Sequence, residues 1–281
     1  MFPKTEALSE DALRDVSYLT RSRNRVRILG TLAEEPSTPR EVADLTGASR
    51  STIQRILSEL EDRGWVRRTD EGSYVATAAG QHVITELVPF VESMETIREL
   101  GEAVAALPSD SLSINIQQFS DASVIRPAPN DPNAPGAYFT MSIRDTTELS
   151  CVVDIAAPLA LEKAMQKRVV DGVLQSEHVL TDRLFRYNCR YAERAQTWKE
   201  LTQNGADVYR YDGEVSCNVF ILDETIILGE TPPDGEGCVL IETDSEPVQE
   251  WAQEFVEEHR ARGDPLTGEE FTNDRVPSKK Q

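Results

Sequence analysis

The chain of 281 residues is short of lysine, of long apolar runs and of the motifs that mark common enzymes. It has no run of about 18 apolar residues, which a transmembrane helix needs, and its first residues, MFPKTEALSED, lack the apolar core of a secretory signal. We therefore expect a cytoplasmic protein without membrane contacts. No G-x-S-x-G, P-loop, G-x-G-x-x-G or H-E-x-x-H pattern occurs, so we expect no enzymatic activity and no cofactor.

Cysteine pairs spaced for metal binding are also missing. The four cysteines, Cys151, Cys189, Cys217 and Cys238, form no C-x-x-C pair, and only three histidines could join them. We expect no metal site from this spacing. In a reducing compartment the favoured interpretation is four small apolar core residues. The alternative is a redox sensor that uses Cys151, Cys217 or Cys238.

Acidic residues dominate the composition. Asp and Glu number 49 against 29 for Lys and Arg, the formal net charge is -20, and only six of the basic residues are lysines. A carboxylate-rich, lysine-poor surface stays hydrated in molar salt, where the Debye length falls to about 3 Å. We interpret the chain as the protein of an extreme halophile. An acidic mesophilic protein with charged tails would explain the carboxylates but not the scarcity of lysine.

Two short helices joined by a glycine turn are predicted near the N-terminus. Thr38-Pro39-Arg40-Glu41 combines a threonine N-cap, a proline at the first helical position and a capping-box glutamate. Gly47 supplies the positive φ of a tight turn, and Ser49 caps the next helix, which is predicted over residues 50 to 63. Two helices in this arrangement are typical of a helix-turn-helix that enters the major groove of DNA.

The second of these helices has an apolar face and a polar, arginine-bearing face. Ile53, Ile56, Leu57 and Leu60 recur at helical spacing and predict the buried side. Two short strands around Asp70-Glu71-Gly72 follow and predict a wing. The residues predicted to contact DNA are Arg40, Ser49, Arg50, Ser51, Thr52, Gln54, Arg55, Arg67 and Arg68.

Charge is distributed in favour of this interpretation. Ten arginines and seven acidic residues between positions 21 and 68 give that segment a charge of +3, so the remainder of the chain carries -23. The alternative is a winged helix that binds another protein, because a fold by itself does not fix function. Outward-facing arginines are less expected in such a module.

The stretch RVRILGTLAEEPSTPREVADLTGASRSTIQRILSELEDRGWVRRTDEGSYVATAAG resembles the winged-helix domain of archaeal and bacterial regulators of the IclR and TrmB kind. The element SRSTIQRILSELEDRGWV carries most of the likeness. The resemblance implies that residues 49 to 55 hold the recognition-helix face and that Arg67 and Arg68 belong to the wing. It covers about 55 residues.

A helical connector is predicted after the wing, from Thr77 to about Ala106, with Pro89 as a kink. Apolar residues recur along it at steps of three and four, at Ile84, Leu87, Val91, Met94, Ile97, Leu100 and Val104. Because two-fold symmetric proteins read palindromic DNA, we expect this stripe to form a homodimer, although it could instead pack on its own domain.

Strands alternating with helices then predict an α/β domain. The predicted strands are residues 123–125, 149–155, 178–181, 206–211, 216–222, 225–228 and 238–242, and the predicted helices are residues 137–145, 158–174, 182–204 and 245–262. Turns are expected at Asp212-Gly213 and Pro233-Asp234-Gly235. The proline-rich residues 126 to 136 predict an ordered loop beside a strand end, where α/β sheets tend to bind ligands.

The ending GCVLIETDSEPVQEWAQEFVEEHRARGDPL resembles the close of the effector domain shared by haloarchaeal regulators and the methanogenesis regulatory protein family, over roughly residues 112 to 265. The resemblance implies a signal-sensing domain, built like the phospholipase-D-like effector domain of TrmB-type regulators. No H-x-K-x-x-x-x-D pattern occurs, so phospholipase-type catalysis is not implied.

Arginines at helical spacing suggest where an effector could bind. As a hypothesis, a phosphorylated or carboxylated small molecule would be held by Arg126, Arg183, Arg186, Tyr187, Arg190 and Tyr191. The favoured alternative is that these arginines, with Arg194, pair with neighbouring carboxylates on a solvated face.

Together these patterns predict four segments. They are a winged helix-turn-helix domain over 1–76, a connector over 77–107, an α/β effector domain over 112–265 and a disordered tail over 266–281. We expect a homodimeric transcription regulator that binds double-stranded promoter DNA and responds to an unidentified effector.

Overall fold

A computed structural model describes residues 8–108, 112–230 and 238–272. The chain divides into two compact units, Met1–Glu92 and Ser93–Gln281. No helix in the described ranges is both long and apolar enough to cross a membrane.

The first unit is a helical domain with a two-stranded wing. Its helices are α1 (Glu10–Thr20), α2 (Arg23–Glu34), α3 (Pro39–Thr46) and α4 (Arg50–Asp62), followed by strands β1 (Val66–Arg68) and β2 (Tyr74–Ala76). The strands pair antiparallel, with Arg67 opposite Val75. The backbone N–H of Ser37 donates to the Tyr74 carbonyl at 2.9 Å, and the N–H of Tyr74 donates to the Ser37 carbonyl at 2.8 Å. These two hydrogen bonds connect the start of α3 to the wing.

Helix α4 packs into the core of this unit through its apolar side. Ile53, Ile56, Leu57 and Leu60 are all buried, together with Leu29 and Leu32 of α2 and neighbouring apolar residues. Burial of each such side chain is worth about 1.5–3 kcal/mol, so the orientation of α4 is set by four anchors. Its other side is therefore fixed towards solvent.

Helix α5 (Ala78–Leu100) follows the wing and contains Pro89. Thr77 Oγ1 accepts from Gly80 N at 3.1 Å, so the predicted threonine cap is confirmed. The predicted end at Ala106 is wrong for the α-helix, because Gly101 takes a positive φ of 56° and the chain continues as a 3₁₀ helix, Gly101–Ala106.

The second unit is built around an eight-stranded mixed sheet. Its strands are β3 (Ser123–Ile125), β4 (Glu148–Val153), β5 (Gln175–Thr181), β6 (Asp207–Tyr211), β7 (Asn218–Leu222), β8 (Thr225–Glu230), β9 (Val239–Thr243) and β10 (Asp264–Leu266). Their order is β10-β6-β5-β4-β7-β8-β9-β3. The β4-β5 and β5-β6 pairs are parallel, and the remaining pairs are antiparallel.

Helices cover both faces of this sheet. Helices α6 (Ala134–Asp145), α7 (Leu159–Val170), α8 (Asp182–Arg190) and α9 (Ala192–Gln203) supply one apolar cluster, while α10 (Glu246–Ala261) and the 3₁₀ helix supply another. Successive side chains of β4 point to opposite faces of the sheet, since Leu149, Cys151 and Val153 join the first cluster and Val152 joins the second. The predicted α/β architecture is therefore confirmed.

The predicted disordered tail is wrong for residues 266–272. Leu266 belongs to β10, and Phe271 is 3% exposed, stacked on Trp198 at 5.9 Å between ring centroids. Burial of these two apolar side chains outweighs the local polarity that suggested disorder. Residues 273–281 and the predicted turn at Pro233-Asp234-Gly235 lie outside the described ranges.

Candidate functional site

The turn between α3 and α4 is built from the local signals that predicted it. Thr38 accepts from Glu41 N at 3.4 Å, and Glu41 accepts from Thr38 N at 2.7 Å, which completes the capping box. Gly47 has a φ of 68°. Ser49 caps α4 by accepting from Thr52 N at 3.3 Å. Side-chain hydrogen bonds thus cap the N-termini of both helices of the helix-turn-helix.

The outer face of α4 presents short polar side chains and two arginines. Arg50, Ser51, Gln54 and Arg55 are exposed, and Thr52 is half-buried. Such side chains can donate bidentate hydrogen bonds to guanine or accept and donate at adenine in the major groove. The structure brings together all the α4 residues that the sequence predicted.

The two arginines of this face differ in their partners. Arg55 is paired with Glu59 at 2.7 Å, one turn along the helix, whereas Arg50 makes no ion pair with any described residue. Glu59 also accepts from the Tyr18 hydroxyl at 2.9 Å and from Arg25 at 3.3 Å. Arg55 is therefore preorientated and partly neutralised, while Arg50 offers its full charge.

The support behind Arg55 was not predicted. Burial and the hydrogen bond to Glu59 together raise the pKa of Tyr18 to about 12, so the phenol stays a donor. Burial would also raise the pKa of Glu59, but hydrogen bonds from Tyr18 and Arg55 outweigh it and lower that pKa. The i, i+4 spacing of Arg55 and Glu59 could have revealed their pair. Tyr18, 41 residues away, left no local signal.

The wing and the start of α3 add three more exposed arginines. Arg67 and Arg68 lie on β1, where the strand has only its first residue buried, and Arg40 lies on the first turn of α3. None of the three pairs with a carboxylate in the described part of the chain. They are free to contact a phosphate backbone.

The predicted arginine pocket of the second unit does not form as a group. Arg183 pairs with Asp154 and Arg186 with Asp182, and both arginines are more than three-quarters exposed. Neighbouring carboxylates thus hold these two arginines on a solvated face, as the favoured alternative predicted. Arg190 lies on the same exposed helix region, as do Tyr187 and Tyr191, whose rings are tilted against each other with centroids 5.0 Å apart.

Arg126 is far from that helix. It follows β3 at one edge of the sheet and donates to the carbonyl of Leu100, whereas α8 follows β5. Five strand-to-strand steps of about 4.8 Å separate β3 from β5, or about 24 Å. The prediction that Arg126 shares a site with α8 is therefore wrong, because chain order does not give strand order.

A cavity of about 530 Å³ lies elsewhere in this unit, between the sheet and helices α6 and α7. The segment 126–136, predicted to be a loop near a ligand site, supplies Pro132, Asn133 and, from the first turn of α6, Pro135 to its lining. None of the residues proposed to hold an anionic effector lines it.

The cavity contains two buried titratable side chains. Glu162 on α7 is 1% exposed and paired with Arg194 on α9, which also donates to the Ala157 carbonyl at 2.9 Å. Burial raises the pKa of Glu162 to about 7, although Arg194 lowers it. His178 on β5 is 2% exposed, and burial lowers its pKa to about 4, so the ring is neutral.

The cysteines lie mainly in the interior. Cys151, Cys189 and Cys217 are buried and Cys238 is half-buried, with no disulfide among them. Cys151 Sγ lies 3.2 Å from His178 Nδ1, and burial raises the pKa of this thiol, as does the charge of Glu177. A thiol held protonated reacts slowly with oxidants, which argues against Cys151 as a redox sensor.

Fold and surfaces define the class of this protein. A winged helix-turn-helix with a polar, arginine-bearing recognition face precedes an α/β domain that encloses a ligand-sized cavity. This combination is that of a two-domain regulator.

Family comparisons give the same class in more detail. Residues 13–99 match the model of the HVO_A0261 N-terminal domain, and residues 132–262 match that of the middle domain of the methanogenesis regulatory protein FilR1. Each match covers less than half of the chain, so it relates those residues, and not the whole chain, to a domain family. No curated protein matches the chain.

Two solved structures match this chain at low sequence identity. TrmBL2, described as an archaeal chromatin protein with a novel mode of DNA binding, is 16% identical, with a TM-score of 0.41, covering 92% of this chain and 100% of its own. The phospholipase D family member Nuc from Salmonella typhimurium is 15% identical, with a TM-score of 0.41, covering 52% of this chain and 99% of its own.

Proposed function

We propose that this chain is a sequence-specific DNA-binding transcription regulator whose second unit senses a small-molecule effector. The observation that carries the proposal is the outer face of α4. Its four apolar anchors are buried, so Arg50, Ser51, Gln54 and Arg55 are held outward on a helix that follows a capped helix-turn-helix turn. The match of residues 132–262 to the middle domain of a regulatory protein supports the same conclusion.

In this proposal α4 enters the major groove and the wing contacts the flanking backbone. Thr52, Gln54 and Arg50 would reach base edges, with Ser49 and Ser51 at the start of the helix near phosphate. Arg40, Arg67 and Arg68 would contact phosphates. Positive charge is concentrated here in a chain whose formal net charge is -20.

A homodimer would let two such helices read a palindrome. Helix α5 supports this, because Phe90, Met94 and Ile97 fall on one side of it and are 56%, 45% and 38% exposed. Other members of the predicted stripe are unavailable, since Ile84, Leu87 and Leu100 are buried. We therefore propose dimerisation through the three exposed residues.

The proposed setting is a cytoplasm of molar salt, in line with the few lysines and the many carboxylates. We further propose a non-enzymatic role, because the family that matches residues 132–262 is named for a regulatory protein. Binding of an effector would then be linked to DNA affinity, in either direction, through a common change of conformation.

The test is genome-wide immunoprecipitation of the tagged protein in high-salt cells, beside an Arg50→Ala/Arg55→Ala variant. The matched control is Arg262→Ala at the C-cap of α10, because Arg262 and Arg55 are both 57% exposed and both pair with a glutamate four residues away. We expect sharp promoter peaks for the wild type and the control, and their loss in the double variant.

Single variants refine the test. Arg50→Ala should lose more affinity than Arg55→Ala, because Glu59 already compensates part of the Arg55 charge. Peaks that persist in the double variant would contradict recognition through α4. A flat profile for every form would favour a winged helix that binds another protein.

A further inference from the structure

The cavity of the second unit has the size and enclosure of a small-molecule site. Its volume of about 530 Å³ lies within the range of roughly 300 to 1,000 Å³ that such sites have. Exposed lining residues on α6, Ala137 and Thr140, mark the side that solvent reaches, while Leu149 of β4 and Leu161 of α7 are buried. A ligand could therefore enter past α6.

Most of the lining is apolar. Phe139, Phe220 and Met165 supply large side chains, and Val153 and Leu240 add aliphatic surface from the sheet. Phe139 and Phe220 contact each other edge to face, with ring centroids 4.6 Å apart. Such walls favour a ligand with a hydrocarbon body, because burial of apolar surface supplies the affinity.

Three buried polar atoms of the lining residues lack a hydrogen-bond partner among the described residues. They are Nε2 of His178, Oε2 of Glu162 and Nε1 of Trp198. The indole N–H of Trp198 lies close enough to the Glu162 carboxyl to favour its charged form, but without the geometry of a well-formed hydrogen bond. Buried polar groups are nearly always paired, so orphans on one cavity indicate a polar group of a ligand.

The charge of the cavity selects against ions. None of the described lining residues is a lysine or an arginine, and the imidazole of His178 is neutral because its burial lowers its pKa to about 4. Arg194, next to the cavity, is already engaged by Glu162 and the Ala157 carbonyl. An anion would thus meet no available cation, and a cation would find the Glu162 carboxyl already paired.

The tautomer of His178 further limits the polar group. Its Nδ1 lies 3.2 Å from Cys151 Sγ, so Nε2 donates or accepts according to which of the two atoms carries the shared proton. A hydroxyl or a secondary amine can match either state, because it carries both a donor and a lone pair.

We propose that this cavity binds an uncharged, mainly apolar small molecule that carries one hydrogen-bonding group such as a hydroxyl or an amine. Describing that molecule as an effector rests on the proposed regulatory function. The binding itself depends only on the cavity.

Two fluorescent probes that differ by one charge test this directly. N-phenyl-1-naphthylamine is uncharged and has one N–H, whereas 1-anilinonaphthalene-8-sulfonate is the same skeleton with a sulfonate. Titration of the full chain in molar salt should show saturable fluorescence from the amine at one site per chain. The sulfonate should bind more weakly by roughly tenfold or more.

Substitutions at Gly136 place the site. An added Cβ there meets no atom within 4 Å and the residue lines the cavity, so Gly136→Ala introduces no clash. Gly136→Leu and Gly136→Phe add larger side chains at the same lining position in steps. The amine should bind progressively more weakly along this series, by roughly tenfold or more for Gly136→Phe. Met141→Phe is the matched control, on the same helix, 70% exposed and outside the cavity.

Equal affinity of Gly136→Phe and Met141→Phe for the amine would overturn the proposal, as would equal affinity of the wild type for the two probes. Unchanged circular dichroism and thermal unfolding of Gly136→Phe would show that a loss of binding is local. Gly136→Leu serves as the second variant if Gly136→Phe unfolds.

Failure of the proposed regulatory function can be distinguished from failure of the cavity assignment. The Arg50→Ala variant should bind the amine as the wild type does while losing promoter DNA. A wild type that binds the amine but no DNA would refute the regulator and leave the cavity assignment supported. A wild type that binds DNA but shows no saturable amine site would refute the cavity assignment and leave the regulator supported.

Discussion

Two buried groups of the cavity should give the second unit opposite pH dependences that nearly cancel. Burial raises the pKa of Glu162 from 4.5 to about 7, against the opposing charge of Arg194. Between these values the folded state keeps a proton that the unfolded chain has lost. Stability is therefore greatest below pH 4.5 and falls as pH rises to about 7, by on the order of 3 kcal/mol at about 1.4 kcal/mol per pH unit.

His178 acts in the other direction. Burial lowers its pKa from 6.5 to about 4, so between these values the unfolded chain binds a proton that the folded state excludes. Its contribution is complete above pH 6.5 and is lost as pH falls towards 4, again by on the order of 3 kcal/mol. From pH 4.5 to 6.5 the two contributions oppose each other, and single substitutions should separate them.

The test is the difference in unfolding free energy between each variant and the wild type, measured from pH 4.5 to 7.5. For Glu162→Gln, variant minus wild type should rise by on the order of 3 kcal/mol across the range, because the wild type alone loses stability there. For His178→Asn, whose amide can still reach Cys151, the difference should fall by a similar amount as pH rises to 6.5.

Urea unfolding followed by tryptophan fluorescence gives these values. A Trp65→Phe background removes the tryptophan of the first unit, so that Trp198 and Trp251 report the second. Constant salt keeps surface screening equal at each pH. Glu250→Gln, on the exposed side of α10, is the matched control for loss of one carboxylate. Differences that stay flat with pH, or that change in the same direction for both variants, would refute the reasoning.

Three further predictions concern the first unit, the dimer and the salt dependence. Gly80→Ala should unfold the winged helix, because its Cβ would lie 2.0 Å from the Trp65 carbonyl oxygen. Gly30→Ala should instead raise the melting temperature, because its Cβ meets its nearest atom at an ordinary 3.9 Å and alanine favours the helix by about 1 kcal/mol. Equal melting temperatures for the two variants would contradict both predictions. Met94→Glu should shift sedimentation towards the monomer while Met141→Glu does not, and a wild type that sediments as a monomer would remove the proposed dimer. DNA affinity measured by fluorescence anisotropy should depend weakly, or even positively, on salt between roughly 1 and 3 M, because the counterion-release contribution to binding shrinks as salt rises. A steep loss of DNA affinity over this range would be inconsistent with a halophile's protein.

Local signals predicted the elements of the first unit well. The threonine capping box, the glycine turn and the serine cap all act between residues at most four apart, and each is present. The break between α1 and α2 was not predicted, and there Ser22 takes an extended φ of -148°. That break lets the guanidinium of Arg25 reach the Tyr18 carbonyl at 2.7 Å. A contact of this kind leaves no periodic trace in the sequence.

In the second unit the seven predicted strands exist, but their neighbours were beyond local reasoning. Strand β10, Asp264–Leu266, was missed because a three-residue strand containing proline has little pattern of its own, and it forms only by pairing with β6. The helix predicted over residues 182–204 is split at Tyr191, whose backbone is extended with a φ of -111°. This split turns Arg194 towards Glu162 while Arg186 stays in solvent, with side chains 13% and 76% exposed.

That difference between two arginines explains why the sequence suggested the wrong ligand chemistry. A row of arginines at helical spacing favours an anion only if their charges are unpaired, and here Asp154, Asp182 and Glu162 take three of them. Arg194, which lies next to the cavity, forms an ion pair with the buried Glu162 carboxyl and so leaves the described lining without an unpaired cation. The apolar walls come from segments as far apart as Pro132 and Leu240, each with the alternation of an ordinary core strand or helix. A core position and a cavity wall carry the same sequence pattern, since both bury an apolar side chain, and only the three-dimensional arrangement decides whether another side chain or a ligand fills the space beside it.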